Sequence, residues 1–503
     1  MTAGYLAQPS PFFNRVRELA TLGQAYHSPQ PAGQMLLLYG RRRLGKTYLL
    51  QRFFAGAPGD TPKPHCYYLA DQSTAPVQRH ALGEALLAAF PDAGVSLGEI
   101  AVSWNTLFRF VGSQARKAGD APRIALILDE FPYLVDQTPE LPSVLQSWWD
   151  REGVHIPLMI ALCGSQLSAM EALGASSAPL YGRFTAGIVR LYPLGYKDVA
   201  AFYTGSPLYD TASILTAYGV FGGTPRYHAL VDSRRPFGEE MVRLLLTRGG
   251  ALENEVAFLL GSEQLRDPAP YNAVLAAIAG GETQFGNIQN ASGTDRSRLS
   301  YYLGVLTDLG WVKREFAFEE TSDKRALYRA GDPFLAFWYR FVHPLRSALA
   351  FSDPQALYDG RIAPFLPDYM GRYVFEEICH QWLTNHAQAR LGILLASAGR
   401  WWSRDGQIEL DLVASPLTPS DGYLFGECKW SATRPVGTGV YADLLAKVAR
   451  APNNDWRKYP PRYCLFSVGG FTPELHALAK DPDQRLSLVG ADDLLGQPDS
   501  VPT

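Results

Sequence analysis

Residues 35–47 read MLLLYGRRRLGKT: an apolar run enters a loop bounded by Gly40 and Gly45, and the loop ends in Lys46 and Thr47. A run of this kind without alternation predicts a strand buried on both faces, as in the interior of a parallel sheet. GRRRLGKT matches GxxxxGK[ST], and the YLLQRFF that follows predicts a helix, so the strand, loop and helix that the motif requires are all in place. The two glycines let the backbone of Gly40, Arg41, Arg42, Arg43, Leu44 and Gly45 curl so that its N–H groups point inward at phosphate oxygens. Lys46, Thr47 and Tyr48 then sit at the positive end of the helix. Lys46 suits the β and γ phosphates, and Thr47 suits a magnesium ion.

Working outward, HCYYL (65–69), IALIL (124–128) and LMIALC (158–163) are further unbroken apolar runs separated by helical stretches, which predicts a parallel sheet covered by helices from about 11 to 195. IALILDE ends in two acids. Asp129 at the strand tip fits a magnesium-bridging carboxylate, and Glu130 fits the residue that polarises an attacking water. LMIALCGS delivers Ser165 beside the γ-phosphate if its strand neighbours that of Asp129; otherwise Ser165 is an ordinary strand-end serine. Arg183 in PLYGRFT is either a surface arginine or a finger reaching the γ-phosphate of its own or a neighbouring subunit. In FGGTPRY, Pro225 and Arg226 lie in a rigid turn that fits either a nucleotide contact or a plain interhelical connection.

With 503 residues, 47% hydrophobic and 19% charged, the chain is of globular composition and long enough for about three domains. Its 46 basic and 49 acidic residues give a net charge of −3, which excludes a strongly basic nucleic-acid binder over the whole chain but not a local basic face. Five scattered cysteines, without a CxxC pair or Cys/His spacing for zinc, argue against a disulfide framework. The absence of a signal-peptide pattern and of an apolar run of spanning length leads to the expectation of a cytoplasmic protein without a membrane segment.

Together, FFNRVRELATL, GRRRLGKT, IALILDEFPYL, LCGSQLSAM, PLYGRFT and FGGTPRY resemble the archaeal-type P-loop ATPases of the AAA+/STAND kind. The resemblance implies ATP and Mg2+ as cofactors, with Lys46, Thr47, Asp129 and Glu130 in the roles above. It also implies that residues 12–17 lie near the adenine and the GGTPR turn near the nucleotide.

Beyond residue 195 the pattern turns helical to about 260, reading as a lid. From 261 to 330, three helices and a two-stranded hairpin describe a winged helix. Arg296, Arg298, Lys313, Arg314, Lys324, Arg325 and Arg329 suit a DNA backbone, although Glu315, Glu319, Glu320 and Asp323 dilute the charge and a protein-docking spacer fits as well. A helical linker (331–367) leads to a last domain (368–503). There Glu409 and Asp411 share a strand face, as do Glu427 and Lys429. If their strands form a hairpin, Asp411, Glu427 and Lys429 converge, and Asp411 and Glu427 become metal ligands while the lysine stabilises charge on a phosphate.

The helix with Glu376, the strand with Asp411 and the Glu427–Lys429 pair follow the order of the PD-(D/E)xK nuclease fold, which this region resembles; a salt-bridged sheet without activity is the alternative. The expected fold class is therefore α/β: a P-loop NTPase parallel sheet with a helical lid, a winged helix and a restriction-endonuclease-like domain. The expected activity is Mg-dependent ATP hydrolysis coupled to DNA binding or cleavage, with homo-oligomerisation a further candidate property. The competing expectation is a STAND-like switch that acts on protein partners.

Overall fold

The computed structural model describes residues 12–29, 32–56, 59–117, 122–263, 265, 267–320 and 325–496. Asp323, Lys324 and the first eleven residues lie outside them. The chain divides into two compact units, with the boundary between Pro193 and Leu194.

The first unit is a five-stranded parallel sheet: β1 (Gln34–Tyr39), β2 (His65–Leu69), β3 (Ile124–Asp129), β4 (Leu158–Gly164) and β5 (Gly187–Arg190), in the order β2-β3-β4-β1-β5. Every residue of β1, β3 and β4 is buried, which explains why those runs carry no polar alternation. β4 lies between β1 and β3, and the carboxyl ends of all three strands open at one edge, where an open α/β sheet places its ligands. The edge strand β5 has only four residues and is partly exposed, too short a signal to read from sequence.

In the second unit, the described residues from 196 to 262 hold helices and turns without a strand. Gly223 is forced here by close approach: a Cβ would lie 2.0 Å from the Leu194 carbonyl, whose own amide donates to the Gly223 carbonyl at 2.7 Å. Helices Pro268–Ala279, Phe285–Ser292 and Arg296–Asp308 precede an antiparallel hairpin of β6 (Val312–Glu315) and β7 (Leu327–Ala330). Leu299, Leu303 and Leu306, spaced four and three apart, form the buried stripe of the third helix.

The last sheet runs β12-β11-β10-β9-β8, comprising β8 (Leu395–Trp402), β9 (Glu409–Pro416), β10 (Leu424–Lys429), β11 (Arg462–Ser467) and β12 (Leu486–Val489). β8, β9 and β10 pair antiparallel, while β10, β11 and β12 pair parallel. Helix Phe375–His386 precedes this sheet, and helix Thr438–Arg450 makes the crossover from β10 to β11. The short strand β12, like β5, was not expected from the sequence. All five cysteines are buried and free. Among the described residues no helix is long and apolar enough to cross a membrane.

His228 is a sensitive point in the second unit. Its Nε2 lies 2.6 Å from the Gly222 carbonyl, so that nitrogen must donate, and Nδ1 accepts from the Tyr203 hydroxyl at 2.7 Å. Both nitrogens are satisfied only in the neutral ring, and burial lowers its pKa to about 4. The unfolded chain therefore binds the extra proton first. This stabilisation is complete above the ordinary histidine pKa near 6.5 and is lost as pH falls toward 4. Urea unfolding of the second unit is expected to shift to lower denaturant between pH 7 and pH 5, and the shift should shrink in His228→Gln. Equal pH slopes in the two proteins would contradict it.

Candidate functional site

At the open edge of the first sheet, Gly45 adopts φ 89°, a left-handed conformation that favours glycine, and helix Lys46–Phe54 starts immediately after it. Lys46 Nζ donates to the carbonyls of Gly40 (2.7 Å) and Arg41 (3.1 Å), which holds the ammonium at the loop. Burial pushes its pKa below the ordinary lysine value. Gly40 fits because a Cβ there would lie 2.6 Å from the Leu191 carbonyl. Arg42 donates to the Tyr133 hydroxyl at 2.8 Å, and Arg41 and Arg43 are half-buried beside it. Leu44 is buried, and its carbonyl accepts from Arg15 at 3.2 Å. Tyr48 packs its ring 5.6 Å from that of Phe12, so the segment that precedes the first helix lies against the loop.

Asp129 lies at the tip of β3 and is 1% exposed. The hydroxyls of Thr47 (2.6 Å) and Tyr67 (2.7 Å) both donate to Oδ2, and the Glu130 amide donates to Oδ1 at 2.9 Å. Glu130 has φ 53°, a left-handed conformation unusual for a side-chain-bearing residue. Its carboxylate accepts from the Ser165 hydroxyl at 2.9 Å and from the Ser165 amide at 3.3 Å. The structure thus brings Lys46, Thr47, Asp129, Glu130 and Ser165 together. Arg183 pairs in a bidentate manner with Asp150 at 2.8 and 2.9 Å and donates to the Tyr181 carbonyl. Pro225 and Arg226 belong to the second unit, in the short helix Pro225–His228, with Arg226 exposed.

A second cluster lies on the C-terminal sheet. The β9–β10 register ends with Gly426 paired to Leu412, which brings the next residues, Glu427 and Asp411, close together. Asp411 Oδ2 accepts from the Cys428 amide at 2.8 Å. Glu427, 5% exposed, accepts from Lys429 at 2.8 Å and from Lys447 at 2.8 and 2.9 Å. Burial, then the neighbouring Glu427 charge, raises the pKa of Asp411 to about 6. Burial alone would lower Lys429, but the Glu427 carboxylate together with Asp411 reverses this and the group sits above the ordinary lysine value.

Glu376 lies 3.0 Å from the Arg400 guanidinium; burial raises its pKa to about 8 against that charge. Arg400 also meets Glu315 of β6 and Glu409 of β9, so the helix acid is engaged in an ion network. His380 Nε2 donates to the Asp411 carbonyl at 3.2 Å, while the half-buried Trp430 packs its ring on Phe375. Among the described residues no group of three or more His, Cys, Asp or Glu side chains has the geometry of a metal site.

An ATPase domain predominantly from Archaea matches residues 12–231. The chain carries an archaeal-type P-loop ATPase domain. Residues 338–438 match a family of archaeal and bacterial proteins of unknown function. An uncharacterized protein of Methanocaldococcus jannaschii is 28% identical over 456 residues, spanning 89% of this chain and 94% of its own length. The Walker-type ATPase of Pyrococcus abyssi is a structural relative at TM-score 0.49 and 21% identity, covering 65% of this chain and 96% of that one. Cdc6p from Pyrobaculum aerophilum matches at TM-score 0.31 and 15% identity over 69% and 97% of the two chains.

Sequence reasoning missed Tyr67 in the ATPase domain and Lys447 and Arg400 in the second cluster. Tyr67 sits in an apolar strand, where a tyrosine reads as core. Lys447 comes from a crossover helix whose face is set only by packing. Tyr67→Phe removes a donor from a buried carboxylate and should destabilise the ATPase domain by roughly 1.5–3 kcal/mol. Denaturant unfolding checks this, and a variant as stable as the wild type would show that the hydroxyl contributes nothing.

Proposed function

We propose that this chain is a magnesium-dependent, cytoplasmic ATPase whose nucleotide state drives a nuclease-like module. In this reading residues 1–195 hold the nucleotide, 196–260 form the lid, 261–330 are a DNA-binding winged helix, 331–367 a linker and 368–503 a PD-(D/E)xK domain. The observation that carries the second half of the proposal is the convergence of Asp411, Glu427 and Lys429 on one sheet, in the helix, three strands, helix, strand order of that fold.

At the ATP site, phosphate oxygens replace the Gly40 and Arg41 carbonyls as acceptors for Lys46, and the loop amides take the remaining phosphate charge. Thr47 and Asp129 present adjacent hard oxygens at 2.6 Å, a donor set that fits magnesium. The ion, when bound, supplies charge neutralisation on the β and γ phosphates. Glu130 polarises the attacking water, and Ser165 fixes the orientation of its carboxylate. Arg183, released from Asp150, serves the γ-phosphate within a homo-oligomer.

At the C-terminal site Asp411 and Glu427 offer two carboxylates. Magnesium is commonly held by one or two carboxylates together with substrate phosphates, so this pair fits it. The chain's own contribution is the pair of ammonium groups, Lys429 and Lys447, positioned to stabilise charge on a phosphodiester. The fact that both lysines already bond to Glu427 favours a second reading, in which the domain grips DNA without cutting it.

Two assays test these roles. Glu130→Gln should retain ATP affinity while kcat for phosphate release falls by about 10²- to 10⁴-fold; an unchanged kcat would remove Glu130 from the chemistry. Magnesium-dependent cleavage of branched, single-stranded and duplex DNA should disappear in Asp411→Ala and Lys429→Ala. Cleavage that survives both would place the active site elsewhere, and tight DNA binding without cleavage would select the second reading.

A further inference from the structure

Between the helix–hairpin segment and the C-terminal sheet, both in the second unit, lies a cleft of about 1530 Å³. This exceeds the 300–1,000 Å³ of ordinary small-molecule pockets. Its walls are fixed to each other. The Phe318 amide donates to the Arg400 carbonyl at 2.7 Å, and Glu319 accepts from Tyr423, Asn453 and Trp456 at 2.9 to 3.1 Å. Lys313 pairs with Glu377 and Arg400 with Glu315, adding further ties between the hairpin and the C-terminal domain.

The lining combines two kinds of group. Arg296, Arg314 and Arg404 supply positive charge, and Phe285, Tyr328 and Trp402 supply aromatic surface. Arg296 and Ser300 are one helical turn apart and face the cleft together, and the Arg296 guanidinium lies 5.8 Å from the Phe285 ring centre. The acids in the lining are already engaged: Glu320 pairs with Arg325 at 2.7 Å, Glu319 is bonded as above, and Asp405 accepts from Ser403 and the Gln407 amide. Trp401 and Trp402 are both half-buried and both line the cleft; Trp401 also packs on the buried Trp456, which leaves Trp402 as the ring not tied to that core.

Trp402 is the cross-strand partner of Glu409, and a register shift opposite Gly399–Trp401 puts a bulge into β9 between Leu410 and Val413, so the simple alternation expected for Glu409 and Asp411 is interrupted there. Trp401, its neighbour, faces the core that also holds Leu410 and Phe425, so Trp402 points to the other face of the sheet, at the rim of the cleft.

We propose that this cleft binds single-stranded nucleic acid, with arginines on its phosphates and aromatic rings stacked on its bases. Arginine combined with aromatic faces is the chemistry by which single strands are held without sequence readout, whereas duplex bases are stacked on each other and present no free face to a tryptophan. The inference rests on the DNA reading above and specifies the form of the nucleic acid.

The test uses fluorescence anisotropy of the full chain with a labelled oligothymidylate of about 16 nucleotides and with a duplex of equal length. Wild type should prefer the single strand. The double variant Arg296→Glu, Arg404→Glu should lower the slope of log affinity against log salt by about 0.7 per arginine, because each lost phosphate contact releases fewer counterions. Trp402→Ala should weaken single-strand binding roughly ten-fold without changing duplex affinity. Binding of a fluorescent ATP analogue, unchanged in all variants, reports intact folding of the ATPase domain. Single-strand affinity untouched by either variant overturns the inference. Wild type that binds only duplex also overturns it while leaving the DNA reading in place, and binding to neither form overturns both.

Discussion

A carboxylate at the end of a buried strand needs donors, and Asp129 obtains three: the Thr47 and Tyr67 hydroxyls and the Glu130 amide. Without them, taking this charge out of water would cost several kcal/mol. The requirement ties the loop helix, β2 and β3 into one arrangement, and Glu130, in a left-handed conformation, follows Asp129 directly. The Glu130 carboxylate in turn accepts from Ser165, just past the end of β4. The phosphate loop, the acid pair and the serine are thus consequences of one buried charge and its solvation by protein.

The C-terminal cluster solves a similar problem by another route. Glu427 is compensated by two lysines from different elements, and Asp411 by a backbone amide and the same lysine field. Around them, Arg400 joins Glu376, Glu315 and Glu409, so that the helix before the sheet, the hairpin and two strands share one charge network. Removing one partner from such a buried network costs more than the network contributes as a whole, because the remaining charges stay buried. A movement of the hairpin would therefore reach the acids of the sheet directly through Arg400.

Much of this was legible in the sequence because the deciding signals are local. The apolar runs of β1, β3 and β4, the GRRRLGKT loop and the adjacent Asp129 and Glu130 are contiguous stretches whose period and composition state their position. Asp411, Glu427 and Lys429 could be brought together because strand alternation and one short hairpin fix their faces. The four-residue strands β5 and β12 carried too little pattern to be seen. Tyr67, Lys447 and Arg400 escaped for another reason: each acts through a partner distant in sequence, and nothing in the residue or its neighbours distinguishes it from core or surface. Pro225 and Arg226 were read as nucleotide contacts from a turn motif whose local geometry, a tight approach at Gly223, is equally well explained by packing on Leu194.

The central claim is that the ATPase domain and the acid–lysine sheet work on each other. The most direct measurement is steady-state ATP turnover of the full chain with and without branched DNA, alongside DNA cleavage with and without ATP. The account predicts that DNA accelerates turnover and that ATP alters cleavage. Turnover indifferent to every DNA tested, together with no ATP effect on DNA, would contradict it and leave an ATPase that acts on something other than nucleic acid.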